Sequence, residues 1–397
     1  MASIMNVLYI IHQTTETGGS AKSFLESLKG VMAKGVKPII VMPDDKGIYP
    51  LLCGMNIPVI VTPYRNQTYP PIRATKDYIL WPLKLIARIL VNYIAVYKLV
   101  KQLKGCPIDL IHTNVSVCGI GFKLSRKLHI PHIYHIREYA DKDFNMHYIP
   151  NKASYLKQLA QPHSYSICIT KDIQRHFHQN GNPNSEVIYD GVQQRMEEMP
   201  KEKKKFFFLF AGKIDPSKGV MELLQAYHVY KLQSKKAIPL LIIGEQANMN
   251  YLRVLNNYIQ ENELVENVTL SKPCEDIFPL MRTANAIFVP SRFEGFGRCM
   301  PEAMFNGCLA VARYTGGSKE QLDNGREYTG KDIGLAFTTE QQLTEIFTEI
   351  EQRPTEYYNE MVEAAFQTVN QLYSRESNAE RITNFYQRIL QEESNYQ

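Results

Sequence analysis

Across its 397 residues the chain has no Cys-x-x-Cys pair, no internal repeat, no low-complexity tract, no Gly-x-Gly-x-x-Gly fingerprint and only one tryptophan. Each absence removes a class of protein. Seven cysteines without paired spacing, mostly in apolar segments, exclude a zinc ribbon or a disulfide scaffold and point to a reducing cytosol. The lack of repeats excludes a solenoid, and the missing fingerprint excludes the usual dinucleotide turn. Basic residues interrupt every apolar run before the roughly 20 residues a membrane span requires. The segment MASIMNVLYIIHQ has a short apolar run and no basic lead, so it reads as a first strand and not as a signal peptide.

Acidic residues are scarce in the first half. Residues 1–190 hold 22 Lys and Arg against 12 Asp and Glu, whereas the remainder holds 23 against 28. A basic half suits anionic lipid or an acidic acceptor; no nucleic-acid motif accompanies it, so no nucleic acid is expected.

The composition, 44% hydrophobic and 21% charged, is that of a soluble globular chain, and its length supports two cores. Short apolar runs alternate with helical patterns at 6–11, 37–42, 57–62, 110–114, 132–136 and 166–170. A second series follows at 206–214, 240–245, 268–272, 286–291 and 309–314. Alternation of this kind predicts α/β architecture: two doubly wound parallel sheets of Rossmann-like type. The expected division is a first domain over 1–192, a charged linker over 193–205, a second domain over 206–374 and a C-terminal helical segment over 375–397 that packs on either domain. Two such sheets turn their strand C-terminal edges toward a cleft, where the active site is expected.

Ser291 to Gly307, SRFEGFGRCMPEAMFNG, carries the densest chemistry. Glu294 and Glu302 flank Gly295-Phe296-Gly297, a turn that feeds a helix with Pro301 in its first turn and Gly307 at its end. The amides of such a turn favour an anion, while two carboxylates beside it call for hydroxyl partners, as sugars and riboses provide. Lys213 and Lys218, in AGKIDPSKGV after an apolar strand, are either solvated turn lysines or a diphosphate clamp. Their coincidence with 294–302 in one predicted sheet favours the clamp. Gly18 and Gly19, between the first strand and first helix, serve ligand approach or simple chain reversal. His135, at the end of HIYHI, fits a sugar contact, proton steering or a structural role equally well.

From Arg73 to Lys104 the chain carries seven basic residues against Asp77 alone, interleaved with apolar runs. Two readings stand open here: a basic amphipathic face for an anionic membrane surface, with Tyr78 and Trp81 at the headgroups, or core-packed helices whose lysines face water.

In this order the segments resemble the GT-B glycosyltransferases of family four, retaining enzymes of bacterial polysaccharide and glycolipid assembly. The resemblance rests on the E-x7-E pattern of Glu294 and Glu302, on Gly212-Lys213 with Lys218-Gly219, on Thr315-Gly316-Gly317 with Glu320, and on Tyr189-Asp190-Gly191-Val192. It implies a hexose or related sugar moved from a nucleotide-diphosphate sugar to a glycan or lipid-linked acceptor, with no cofactor or metal. Glu302 would hold the ribose, Glu294 the transferred sugar, and Lys213 and Lys218 the diphosphate, with Gly18 and Gly19 approaching it. His135 would contact the sugar. The amides of Phe296, Gly297 and Arg298 would complete the cradle, and Gly244, Lys272 and Pro273 would lie near the base. Lys213 and Asp190 replace the family's usual arginine and asparagine. Asp141-Lys142-Asp143 matches the letters of a metal-binding Asp-x-Asp but lies in the other half. The expected location is the cytoplasm, at the inner membrane face if the basic segment docks there. Two alternatives remain: another GT-B enzyme, such as a nucleotide-sugar epimerase or a phosphorylase, or a non-catalytic partner subunit that binds nucleotide sugar.

Overall fold

The structure, a computed structural model, describes residues 4–12, 18–72, 75–246 and 248–395, with side chains except at 75–78 and 144. Residues 1–191 together with 375–397 form one compact unit, and 192–374 form a second.

The first unit is built on a seven-stranded sheet in the order β3-β2-β1-β5-β6-β8-β9. Its strands are β1 (Met5–Ile10), β2 (Val36–Met42), β3 (Val59–Val61), β5 (Leu110–Thr113), β6 (His132–Ile136), β8 (Ser164–Cys168) and β9 (Ser185–Val187), all paired in parallel. A small antiparallel pair, β4 (Thr68–Tyr69) and β7 (His147–Tyr148), stands apart. Strands β5, β6 and β8 are buried along their whole length, as helices on both faces require. The sixth apolar run, expected at 166–170, forms a strand two residues earlier. Thr170 leaves the sheet to cap the next helix, its hydroxyl accepting the Ile173 N–H at 3.2 Å.

The C-terminal helix Arg375–Ser394 belongs to this unit. Ala379, Ile382, Phe385, Tyr386 and Ile389 join the core formed by β1, β2 and the helix Gly19–Ala33. Ser27 donates to Asn378 Oδ1 at 2.8 Å, and Arg375 donates to Glu26 at 2.7 Å.

The second unit carries a six-stranded parallel sheet, β12-β11-β10-β13-β14-β15. Its strands are β10 (Phe208–Ala211), β11 (Leu240–Ile243), β12 (Val268–Ser271), β13 (Ala286–Val289), β14 (Leu309–Arg313) and β15 (Leu335–Phe337). Its core is aromatic: Phe288 stacks on Phe347 at 4.3 Å between ring centroids, and Phe208 lies 5.0 Å from the same ring. Such pairs add about 0.5–1.5 kcal/mol each beyond the area they bury.

Residues 193–205, expected as a linker, are part of this unit. The Met196 N–H donates to Asn370 at 2.9 Å. Lys204 donates to the carbonyls of Arg282 and Gly307 at 3.0 and 2.8 Å. The first of these lies in the last turn of the helix Phe278–Thr283, where unpaired carbonyls attract a cation.

Candidate active site

Chain order reverses direction in the second sheet between β10 and β13, which pair through Phe208 with Ala286 and Leu209 with Ile287. Ligands of open α/β sheets bind at this switch point, beyond the strand C-termini. Because all the strands run parallel, one edge receives Lys272 and Pro273 after β12, Gly244 after β11, Gly212 and Lys213 after β10, residues 290–298 after β13 and Thr315 to Gly317 after β14.

Close approach fixes the glycines. A Cβ on Gly244 would fall 1.5 Å from the Gly212 carbonyl oxygen. A Cβ on Gly316 would meet the Glu294 carbonyl oxygen at 2.5 Å, and one on Gly317 the Phe296 carbonyl oxygen at 2.4 Å. The Gly317 N–H donates to the Glu294 carbonyl at 2.9 Å, and the buried Gln321 amide donates to the Phe296 carbonyl at 2.5 Å. The turn 294–297 is therefore clamped onto the start of the helix Gly316–Thr329. The Phe296 ring is buried edge-on to Tyr373, and Gly297 takes φ +82°.

Upon this frame sit two ion pairs. Lys218 Nζ donates to Glu294 Oε1 at 2.8 Å, and Arg298 donates to Glu302 Oε1 at 3.1 Å. Between them lies Cys299; its thiol is held well above its usual range by burial, then by the charges of Glu302 and Glu294. Both carboxylates thus face one neighbourhood. Arg298, whose amide the resemblance places in the cradle, has its guanidinium on Glu302 and on the Val192 carbonyl at 3.2 Å. Its side chain follows the i,i+4 spacing of the helix Cys299–Phe305. Lys213, Lys272 and Pro273 are exposed, whereas Gly244 is buried. Sequence reading missed Gln321, whose signal is weak because a buried amide donating to a carbonyl leaves no motif. It also missed Arg292, which pairs with the buried Glu222.

Gly18, Gly19 and His135 stand in the first unit. Gly19 opens the helix Gly19–Ala33, and no atom of the described residues lies within 4 Å of a Cβ built there. His135 is buried on β6. Its Nδ1 lies 3.1 Å from His112 Nε2 and accepts from Arg137 at 3.2 Å, and its Nε2 has no hydrogen-bond partner among the described residues. Arg137 pairs with Asp190 and donates to Asn114 at 3.1 Å, while Ser23 donates to Asp190 at 2.7 Å. His112 continues the chain to the Tyr386 hydroxyl, which bonds the Tyr9 hydroxyl at 3.0 Å. Burial, then the Arg137 charge, holds both His112 and His135 well below the usual imidazole range. Glu138 accepts from Ser116 at 2.9 Å; burial, then the Asp143 charge, pushes its carboxyl up to about 7. Asp141 pairs with Lys152 and with His176, each at 2.7 Å, and Asp143 accepts the Tyr139 N–H at 3.0 Å.

Residues 192–368 match the family described as Glycosyl transferases group 1, and residues 17–194 match Glycosyltransferase Family 4. The chain belongs to the family-four glycosyltransferases. An uncharacterized glycosyltransferase of Methanocaldococcus jannaschii is 29% identical over 241 residues, which is 59% of this chain and 64% of that relative. The chain thus spans a little under two thirds of that relative's length. Among solved structures, HepE of Anabaena in complex with UDP aligns with a TM-score of 0.73 at 20% identity, covering 96% of this chain and 99% of that one. A glycosyltransferase of Rickettsia africae aligns with a TM-score of 0.73 at 17% identity, covering 98% and 99%. The fold of this family-four member is GT-B.

Proposed function

We propose that the chain is a retaining glycosyltransferase that moves a hexose from a uridine-diphosphate sugar to a glycan or lipid-linked acceptor in surface polysaccharide or glycolipid synthesis. The observation that carries this reading is the Lys218–Glu294 pair at the switch point of the second sheet, with Glu302 on the helix that follows the glycine-clamped turn. The choice of uracil draws on the UDP and UDP-glucose complexes of the Anabaena relative.

At 30% and 13% side-chain exposure the Lys218–Glu294 pair contributes about 1 kcal/mol at most. A diphosphate, with more charge than one carboxylate, displaces Glu294 from Lys218. Lys218 and Lys213 then neutralise the leaving group, and Glu294 is freed toward the sugar, whose reacting carbon gains positive charge as its bond to phosphate breaks. The acceptor oxygen bonds to that carbon on the leaving-group face, and its proton passes to the departing phosphate oxygen. Glu302 takes the ribose hydroxyls, and the first unit takes the acceptor. The two lysines do the work a metal does in other transferases, so turnover survives EDTA. All seven cysteines are free, which suits the reducing cytoplasm where we place the reaction.

Calorimetry with UDP tests the division of labour. Glu302→Gln weakens UDP binding; Glu294→Gln spares it and lowers turnover about 10²–10³-fold. Equal loss of affinity in both variants overturns the assignment. Incubation of UDP-sugar without acceptor separates transfer from epimerisation, and binding with no transfer to any acceptor identifies a binding subunit.

A further inference from the structure

The helix Thr75–Gln102 of the first unit is apolar on two opposite faces, and only one of them is packed. The inner face is pinned. Ala95, Val96, Leu99 and Leu103 are buried, and Asn92 holds the Arg65 backbone by accepting its N–H at 2.7 Å and donating to its carbonyl at 2.9 Å. Arg88 donates to the carbonyls of Asn66, at 2.9 Å, and Thr68. Trp81 also points inward, its ring 4.2 Å from that of Tyr69, so it is not the interfacial anchor that the sequence suggested. Arg73 and the side chains of Lys76 and Tyr78 lie outside the described residues.

The outer face is a stripe of Ile79, Leu83, Ile86, Leu90, Tyr93 and Tyr97, each between 54% and 74% exposed. These positions recur at three and four residues, so they line one side of the helix over about 27 Å at 1.5 Å per residue. Scattered apolar residues on a surface are ordinary; an unbroken stripe of this length is not. Lys84 and Lys98 border the stripe on one side, and Lys101 and Lys104 lie at its end, all exposed. No acidic residue occurs between Asp77 and Asp109.

We infer that this outer face docks in the headgroup region of an anionic bilayer, with the helix lying along the surface. By length and hydropathy Ile79–Gln102 is able to cross a membrane, with 17% of its apolar window buried. Spanning, however, would tear Asn92 and Arg88 from the 65–68 backbone and expose the packed last turns. The charge pattern also selects against a second copy of the chain, since an antiparallel self-complementary contact brings the Lys84 and Lys98 borders of two copies together, and in no arrangement does the stripe offer these lysines an acid. An apolar stripe with a lysine border matches acyl chains beneath phosphate headgroups. The inference stands on the first unit alone and is independent of the donor site.

Flotation of the full chain with vesicles of phosphatidylcholine, with or without phosphatidylglycerol, tests it. The chain floats with the anionic vesicles, added salt weakens binding, and neutral vesicles retain little. Lys98→Glu with Lys101→Glu lowers the bound fraction at least tenfold, and Leu83→Ser with Leu90→Ser does the same; both double variants melt as the parent does, because these side chains are largely exposed. Failure to float, equal binding to both vesicle types, or unchanged binding by the lysine variant overturns the inference. So does a concentration-dependent dimer, seen by light scattering, that the leucine variant abolishes.

Discussion

Arg137 and Asp190 pair in the first unit with side chains 3% and 4% exposed; Lys218 and Glu294 pair in the second at 30% and 13%. Both pairs stand beyond the C-terminal edge of a doubly wound parallel sheet, yet their surroundings differ. The first pair is locked into a run of buried polar groups from Ser23 through His135 and His112 to Tyr386 on the C-terminal helix. The second is partly hydrated, with Lys218 at the end of the short helix Pro216–Lys218 and Glu294 at the start of the glycine turn. A buried pair has lost its water and is costly to break, whereas a partly hydrated pair exchanges partners at small cost. One topology therefore supplies a fixed strut in one unit and an exchangeable clamp in the other. Histidine follows the same division, since nine of the ten lie in the first unit and only His228, half-buried, in the second.

The largest effect expected to break this comparison is that of Asp190→Ala, which leaves the Arg137 charge buried without a counter-ion. Urea unfolding should show a loss of about 3–5 kcal/mol in the transition of the first unit. A loss below about 1 kcal/mol would place the pair in the same class as Lys218–Glu294.

Next comes Gly317→Ala. Its Cβ would overlap the Phe296 carbonyl oxygen, 2.4 Å away, and push the 294–297 turn off the helix start. Displacement of that order in a positioning loop costs about 100-fold in turnover, with the melting of the first unit unchanged. Steady-state kinetics beside thermal melts checks both halves.

The smallest effect per group is pH dependence, and it sharpens the contrast. His112, His132 and His135 are buried neutral, with His132 lowered to about 3, so the unfolded chain binds more protons than the folded one below about 6.5. Stability falls on acidification through that window, by about 1.4 kcal/mol per pH unit for each such group. Glu138 has the opposite sign: raised to about 7 from 4.5, it contributes stability that is full below 4.5 and lost as pH rises to about 7. Glu138→Gln removes this offset and steepens the acid loss of the first unit. Urea titrations from about pH 5 to 7.5 on parent and variant read the change, and an unchanged slope would remove Glu138 from the account.

Much of the architecture is legible from residue order. Continuous apolar runs such as HIYHI and AIFVP are strands buried on both faces, and their alternation with helices permits little besides a parallel sheet. Glu294, Glu302, Lys213 and Lys218 were legible as candidates because glycine-rich turns after apolar strands mark the edge where ligands bind. The role of Arg298 was not, because its direction depends on helical spacing to Glu302 and on a carbonyl contributed by Val192, more than a hundred residues away in the chain. Nor was the setting of His135 legible, since its partners are His112 on β5 and Arg137, which are tied in turn to Tyr386 on the last helix and to Asp190.

By itself, then, the amino-acid order determined the two α/β sheets, the glycine turn and the identity of the charged groups at the strand ends, because short-range periodicity and turn chemistry act within a few residues. Tertiary structure decided which charge meets which, that residues 193–205 are held and not free, that Trp81 turns inward and that the outer stripe from Ile79 to Tyr97 stays uncovered. Pairing and burial depend on segments distant in the chain, and no local pattern encodes what a folded neighbour will bring to within 3 Å.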